Sequence, residues 1–122
     1  MKELILEEIE KQPRLRAGTF ADGSKWSGSY LNGKKEGCFE IYHLKNGKLH
    51  VKENYSKGRR HGDYEAYHEN GNLRIKCRYE MDNLQGLYAT FTYNGELLKV
   101  ANYECGIEIN PNGSNVGLLK DE

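Results

Sequence analysis

Charge of one sign is the first thing this sequence lacks. Eighteen basic and eighteen acidic side chains cancel over 122 residues, so bulk charge names no partner. Apolar residues are also scarce, at 37%. That supply is short for a thick two-layer core. No apolar run approaches the roughly 20 residues that a membrane span needs. Cysteine is sparse, and Cys38, Cys77 and Cys105 form an odd set in which no pair has metal-ligand spacing. Nothing resembling a signal peptide precedes them, so reduced thiols in a cytoplasmic protein are the expectation. G-x-S-x-G, the P-loop and H-E-x-x-H are all missing, so no catalytic residues are assigned.

Tyrosine and glycine are abundant instead, at nine and 14. They recur with a fixed step. Gly47, Gly71 and Gly95 stand 24 apart (71−47, 95−71), as do Tyr55, Tyr79 and Tyr103. The opening glycines step by 25 and then 24 (62−37, 86−62), because Leu44 is an extra residue before the first turn. A period in this range predicts a repeat architecture. The three units are Gly37–Gly58, Gly62–Asp82 and Gly86–Gly106, and Arg16–Gly37 reads as a degenerate opening copy.

Each unit reads as two strands. The second alternates: Leu49, Val51, Glu53 and Tyr55 share one parity with Leu73, Ile75, Cys77 and Tyr79, and with Leu97, Lys99, Ala101 and Tyr103. One apolar side at period two predicts a half-buried strand. Asn-Gly between the strands predicts a type I′ hairpin. The first strands carry two aromatic columns, Phe39/Tyr64/Tyr88 and Tyr42/Tyr67/Phe91, on opposite parities. Aromatics therefore face both sides of the sheet unless a bulge shifts the register. Lys2–Lys11 is the one good helix pattern, with Ile5, Leu6 and Ile9 on one side, ended by Gln12-Pro13. The organisation expected is a capping helix over 1–15, a repeat sheet over 16–106, and a closing strand and tail over 107–122. Ile107–Gly113 and Val116–Leu119 are the candidates for that closing structure.

The pattern Y-x-x-G-x-x-x-G, in YLNGKKEG and YSKGRRHG, resembles the MORN repeat family. YHENGNLRIKCRY is similar to its bacterial variant repeats. The resemblance covers residues 18 to 106, and Asp82 departs from it where the other copies have glycine. It implies a mainly β fold: an elongated, twisted antiparallel meander of hairpin repeats, with no catalytic residues. It also implies a scaffold or interaction role, in some members with phospholipid headgroups and in bacterial ones as antitoxins.

Charge is uneven along the chain. From His43 to Glu80 nine basic residues face five acids (9−5 = +4), and from Met81 onward two face six (2−6 = −4). Two surfaces follow. A non-catalytic contact for another protein, a toxin or a nucleic-acid enzyme that it neutralises, draws on Tyr42, Tyr67 and Phe91 with Arg59, Arg60, Arg74 and Arg78. A basic stripe of Lys52, Arg59, Arg60, Arg74, Lys76 and Arg78 suits an anionic ligand: RNA, single-stranded DNA or a phospholipid headgroup. A third reading makes the acidic end a phosphate mimic for a nucleic-acid enzyme. A solvated sheet face is the plain alternative to the stripe, and the balanced total charge weighs against direct nucleic-acid or lipid binding. His43, His50, His61 and His68 match no metal motif, so neither metal nor cofactor is expected. Cys77 falls on the apolar parity, where an inert thiol is expected. An open meander leaves two edges, one of which suits a homodimer.

Overall fold

The structure, a computed structural model, describes residues 11–109. The helix expected over Lys2–Lys11 falls, apart from Lys11, outside the described residues, as does the strand expected at Val116–Leu119. What is described is mainly β, a single antiparallel meander of eleven strands with no helix among the described residues. Eight strands carry the sheet: β1 (Arg14–Thr19), β2 (Lys25–Leu31), β3 (Lys34–Tyr42), β4 (Leu49–Ser56), β6 (Gly62–Tyr67), β7 (Leu73–Glu80), β9 (Gly86–Phe91) and β10 (Leu97–Glu104). Three two-residue strands, β5 (Arg59–Arg60), β8 (Asn83–Leu84) and β11 (Ile107–Glu108), fold back on β4, β7 and β10. The sheet begins at Arg14, two residues before the expected boundary.

Residues opposite each other in an antiparallel pair point to one side. One side is aromatic: Trp26 faces Ile41, Gly28 faces Phe39, Phe39 faces Glu53, Tyr64 faces Cys77 and Tyr88 faces Ala101. The buried apolar residues Phe39, Val51, Ala66, Cys77 and Ala101 all lie there. Packing is a checkerboard of large against small. The repeat step places Gly28, Glu53, Cys77 and Ala101 in equivalent positions, each opposite an aromatic of the neighbouring strand. The ring needs that gap. A Cβ on Gly28 would stand 2.3 Å from the Phe39 ring.

Successive units are tied at both ends, which is how a one-layer sheet without a thick core stays in register. At one end Gly58 N donates to Lys35 O, Asp82 N to Arg60 O and Gly106 N to Leu84 O, at 2.8–2.9 Å. Beside them Lys57 N donates to Glu36 Oε1, Met81 N to His61 Nδ1 and Cys105 N to Gln85 Oε1. At the other end Asn46 Nδ2 donates to Glu69 O and Asn70 Nδ2 to Tyr93 O. His43 Nε2 bonds Tyr67 O and His68 Nε2 bonds Phe91 O, both at 3.0 Å.

Two expectations change. The Asn-Gly pairs at 46, 70 and 94 are not type I′ turns, since only their glycines have positive φ. Paired positive φ values occur at Asn32-Gly33, Lys57-Gly58, Met81-Asp82 and Cys105-Gly106, the connections that lead into the next unit. In the Asn-Gly loops the Asn46 and Asn70 amides are used to bind the following unit. The alternation also breaks at Leu49, Leu73 and Leu97. Bulges at His50, Arg74 and Leu98 set those leucines opposite Tyr42, Tyr67 and Phe91, away from Val51, Ile75 and Lys99.

Candidate interaction surfaces

The charged side follows from the register of strands distant in sequence. Glu40 faces Lys52, Lys52 faces Glu65, Glu65 faces Lys76, and Asp63 faces Arg78. Lys76 Nζ lies 2.9 Å from Glu65 Oε2, and Arg78 lies 3.5 Å from Asp63. The Glu65 carboxyl is held below its ordinary value by hydrogen bonds from Tyr67 and Lys76, which stabilise its charged form. The cations Lys52, Lys76 and Arg78 are thus interleaved with acids and do not form an unbroken basic stripe. Arg59 is exposed opposite Ser56. Arg74 occupies the bulge and is half-buried.

Tyr42 and Tyr67 lie on this charged side, with their hydroxyls donating to Glu40 at 2.7 Å and Glu65 at 2.6 Å. Burial and then the Glu65 bond push the Tyr67 phenol up to about 12. In the third unit Ala89 replaces the glutamate, Val100 replaces the lysine, and Phe91 has no hydroxyl to satisfy. That unit carries the exposed Leu87, Leu97 and Leu98. The second strand's own sequence, Leu97-Leu98 where polar residues are expected on one parity, was the available signal.

Arg60 is on the other side. Its Nε donates to Glu53 at 3.1 Å, and its guanidinium lies over the Tyr79 ring at 5.5 Å. Glu53, only 5% exposed, also accepts from the Tyr55 hydroxyl at 3.0 Å, so the buried carboxylate is satisfied. Burial, with Glu53 beside it, pushes the Tyr55 phenol up to about 12. The seven residues expected to form one contact are therefore divided between two sides of the sheet.

The aromatic side holds Trp26, Phe39 and a row of tyrosines, Tyr30, Tyr55, Tyr79 and Tyr103, all half-buried except the buried Phe39. Rings pack edge-to-face: Phe39 on Tyr55, Tyr64 on Tyr79 and Tyr88 on Tyr103, with centroids 5.4–5.9 Å apart. Cations stack on them. Arg16 lies over Tyr30 at 5.3 Å, and Lys35 lies over Phe39 and Tyr55 at 5.0 and 4.8 Å. Sequence reasoning placed Tyr55, Tyr79 and Tyr103 on the apolar side of half-buried strands and did not single out Arg16 and Lys35, which come from the first strands and not from the alternating ones.

Among the described residues no group of three or more His, Cys, Asp or Glu side chains converges to hold a metal ion. His43 and His50 stack at 4.1 Å, and His43 and His68 make their bonds to backbone. The Cys77 thiol is pushed up to about 11 by burial. Among the described residues no helix is long and apolar enough to cross a membrane. No family model matches the chain, and no curated protein matches it.

Proposed function

We propose that this chain is a non-catalytic protein-interaction module built from MORN-like repeats, and that it binds and neutralises a partner protein. The observation that carries the reading is the aromatic side: one continuous tyrosine row with Trp26 at its start and Arg16, Lys35 and Arg60 stacked on the rings. Tyr, Trp and Arg are the residues that dominate binding energy at protein interfaces. Tyr42, Tyr67 and Phe91 have less support as the contact, because the first two commit their hydroxyls to glutamates of their own strands. The anionic-ligand reading has less support for a related reason. Glu40, Asp63 and Glu65 sit among the lysines and arginines that would track phosphates. The test is capture of the partner on immobilised protein, followed by assay of that partner's own activity with and without the chain. Loss of activity on mixing supports neutralisation. Unchanged activity leaves a scaffold and removes the inhibitor.

A further inference from the structure

Each unit meets the next at one fixed rung. Val51 faces Ala66 and Ile75 faces Thr90, with Lys52 facing Glu65 and Lys76 facing Ala89 beside them. The repeat step carries Val51 and Ile75 to Lys99, and Lys52 and Lys76 to Val100. At the other end Gly18 faces Trp26 as Ala66 faces Ile75, and Ala17 faces Ser27 as Glu65 faces Lys76. Lys99 and Val100 on β10 are thus one half of a further rung, and Gly18 and Ala17 on β1 are the other half. Both halves are open. Among the described residues β1 pairs only with β2. β11 covers β10 only at Tyr103 and Glu104, with one more bond from Ile109 N to Asn102 O.

The two ends complement each other in chemistry. Val100 stands in the slot of Lys52 and Lys76, and Ala17 in that of Glu40 and Glu65, so an apolar pair replaces an ionic one. β11 followed by β1 of a second copy reproduces β3, in which Lys35 lies over the Phe39 ring at 5.0 Å. Glu108 holds the Lys35 slot, since each faces a tyrosine of the row, and Arg16 holds the Phe39 slot. Opposite charges therefore come together at the join. The bonds that tie inner units also have their halves left over. Asn46 and Asn70 bind the backbone of the following loop, but among the described residues the equivalent Asn94 amide makes no such bond. Its matching acceptor is Ala21 O, in a loop closed by the same two backbone bonds as those at Glu69 and Tyr93. Likewise Gly58, Asp82 and Gly106 donate to Lys35, Arg60 and Leu84, and Gly33 N and Glu108 O are the next pair in that series.

From this we infer that copies of the chain join head to tail, β10 of one against β1 of the next, in the rung used between its own units. Glu108 meets Arg16, Val100 meets Ala17, and the Asn94 amide donates to Ala21 O. Lys99 faces Gly18, over which the Trp26 ring lies, so its ammonium meets the indole of the next copy. The contact joins two different surfaces, so it extends copy by copy and does not stop at a dimer. It uses the ends of the sheet and leaves the aromatic side to the partner.

The test is sedimentation velocity of the whole chain over a concentration series, with circular dichroism of each variant to show that it is folded. Dimers, trimers and longer species are expected in succession. Arg16→Glu and Glu108→Lys are each expected to weaken association by about tenfold or more, because each sets like charges at the join. Mixing the two variants is expected to restore it, since every mixed join again pairs opposite charges. Asn94→Ala is expected to weaken association by about fivefold and to leave the melting temperature of the dilute chain unchanged. A chain that stays monomeric overturns the inference, as does a dimer that grows no further. Mixed variants that associate no better than either alone also overturn it.

Discussion

Asp82 clasps the Arg60 backbone across two units: Asp82 N donates to Arg60 O, and the side-chain Asp82 Oδ1 accepts from Arg60 N, both at 2.8 Å. This explains how the second unit keeps its closing type I′ turn without glycine. Met81 and Asp82 sit at φ 46° and 73°, where a non-glycine residue is strained and aspartate is among the better tolerated. The carboxylate offsets the strain with a bond that glycine cannot make. Asp82→Ala is expected to lower stability by about 1–2 kcal/mol, losing the bond and keeping the strain. Asp82→Gly relieves one and loses the other, so its change is expected to stay under about 1 kcal/mol. Urea unfolding of the two variants checks the ordering.

Gly28 is the small square beneath Phe39. Its Cβ would meet a ring fixed between Trp26, Tyr30 and Tyr55, with centroids 6.0, 5.5 and 5.4 Å away. Gly28→Ala is expected to cost about 1–3 kcal/mol by overpacking. The control is Ala101→Gly at the equivalent position, expected to cost about 1 kcal/mol or less by strand entropy alone.

His50 makes the fold sensitive to mild acid. Burial, then the stacked His43 and nearby Arg74, hold its pKa below the ordinary 6.5, with Glu69 opposing. A base whose folded value is depressed binds its proton better when unfolded. Its contribution is fully present above pH 6.5 and is lost as pH falls toward the folded value. Melting temperature is expected to drop between neutral pH and pH 5, and His50→Gln is expected to flatten that part of the profile.

The cysteines are expected to differ in reactivity. Cys77 is buried with its thiol pushed up to about 11, and Cys38 and Cys105 are exposed. Iodoacetamide at pH 8 is expected to alkylate Cys105 first and Cys77 only with unfolding, because the thiolate is the reacting form. Mass spectrometry of the quenched series reads the order.

The repeat was legible because Tyr55, Tyr79 and Tyr103 keep one step, and the strands followed from it. The bulges were not. Leucine at 49, 73 and 97 satisfies the alternation on paper, and only pairing with Tyr42, Tyr67 and Phe91 moves it to the other side. The turn types were misassigned because Asn-Gly is a local signal, whereas Asn46 and Asn70 are held by bonds to the next unit. The charged side was hidden most deeply. Lys52 and Lys76 look like a basic stripe along the chain until the register sets Glu40 and Glu65 between them.

The account stands on which side of the sheet meets the partner, and one affinity comparison decides it. Two double variants, each first shown folded by circular dichroism, are titrated against the captured partner: Tyr30→Ala with Tyr103→Ala at the ends of the tyrosine row, and Tyr67→Ala with Arg74→Ala on the charged side. The aromatic-side pair is predicted to weaken binding by about thirtyfold or more, and the charged-side pair by no more than about threefold. The reverse order contradicts the account.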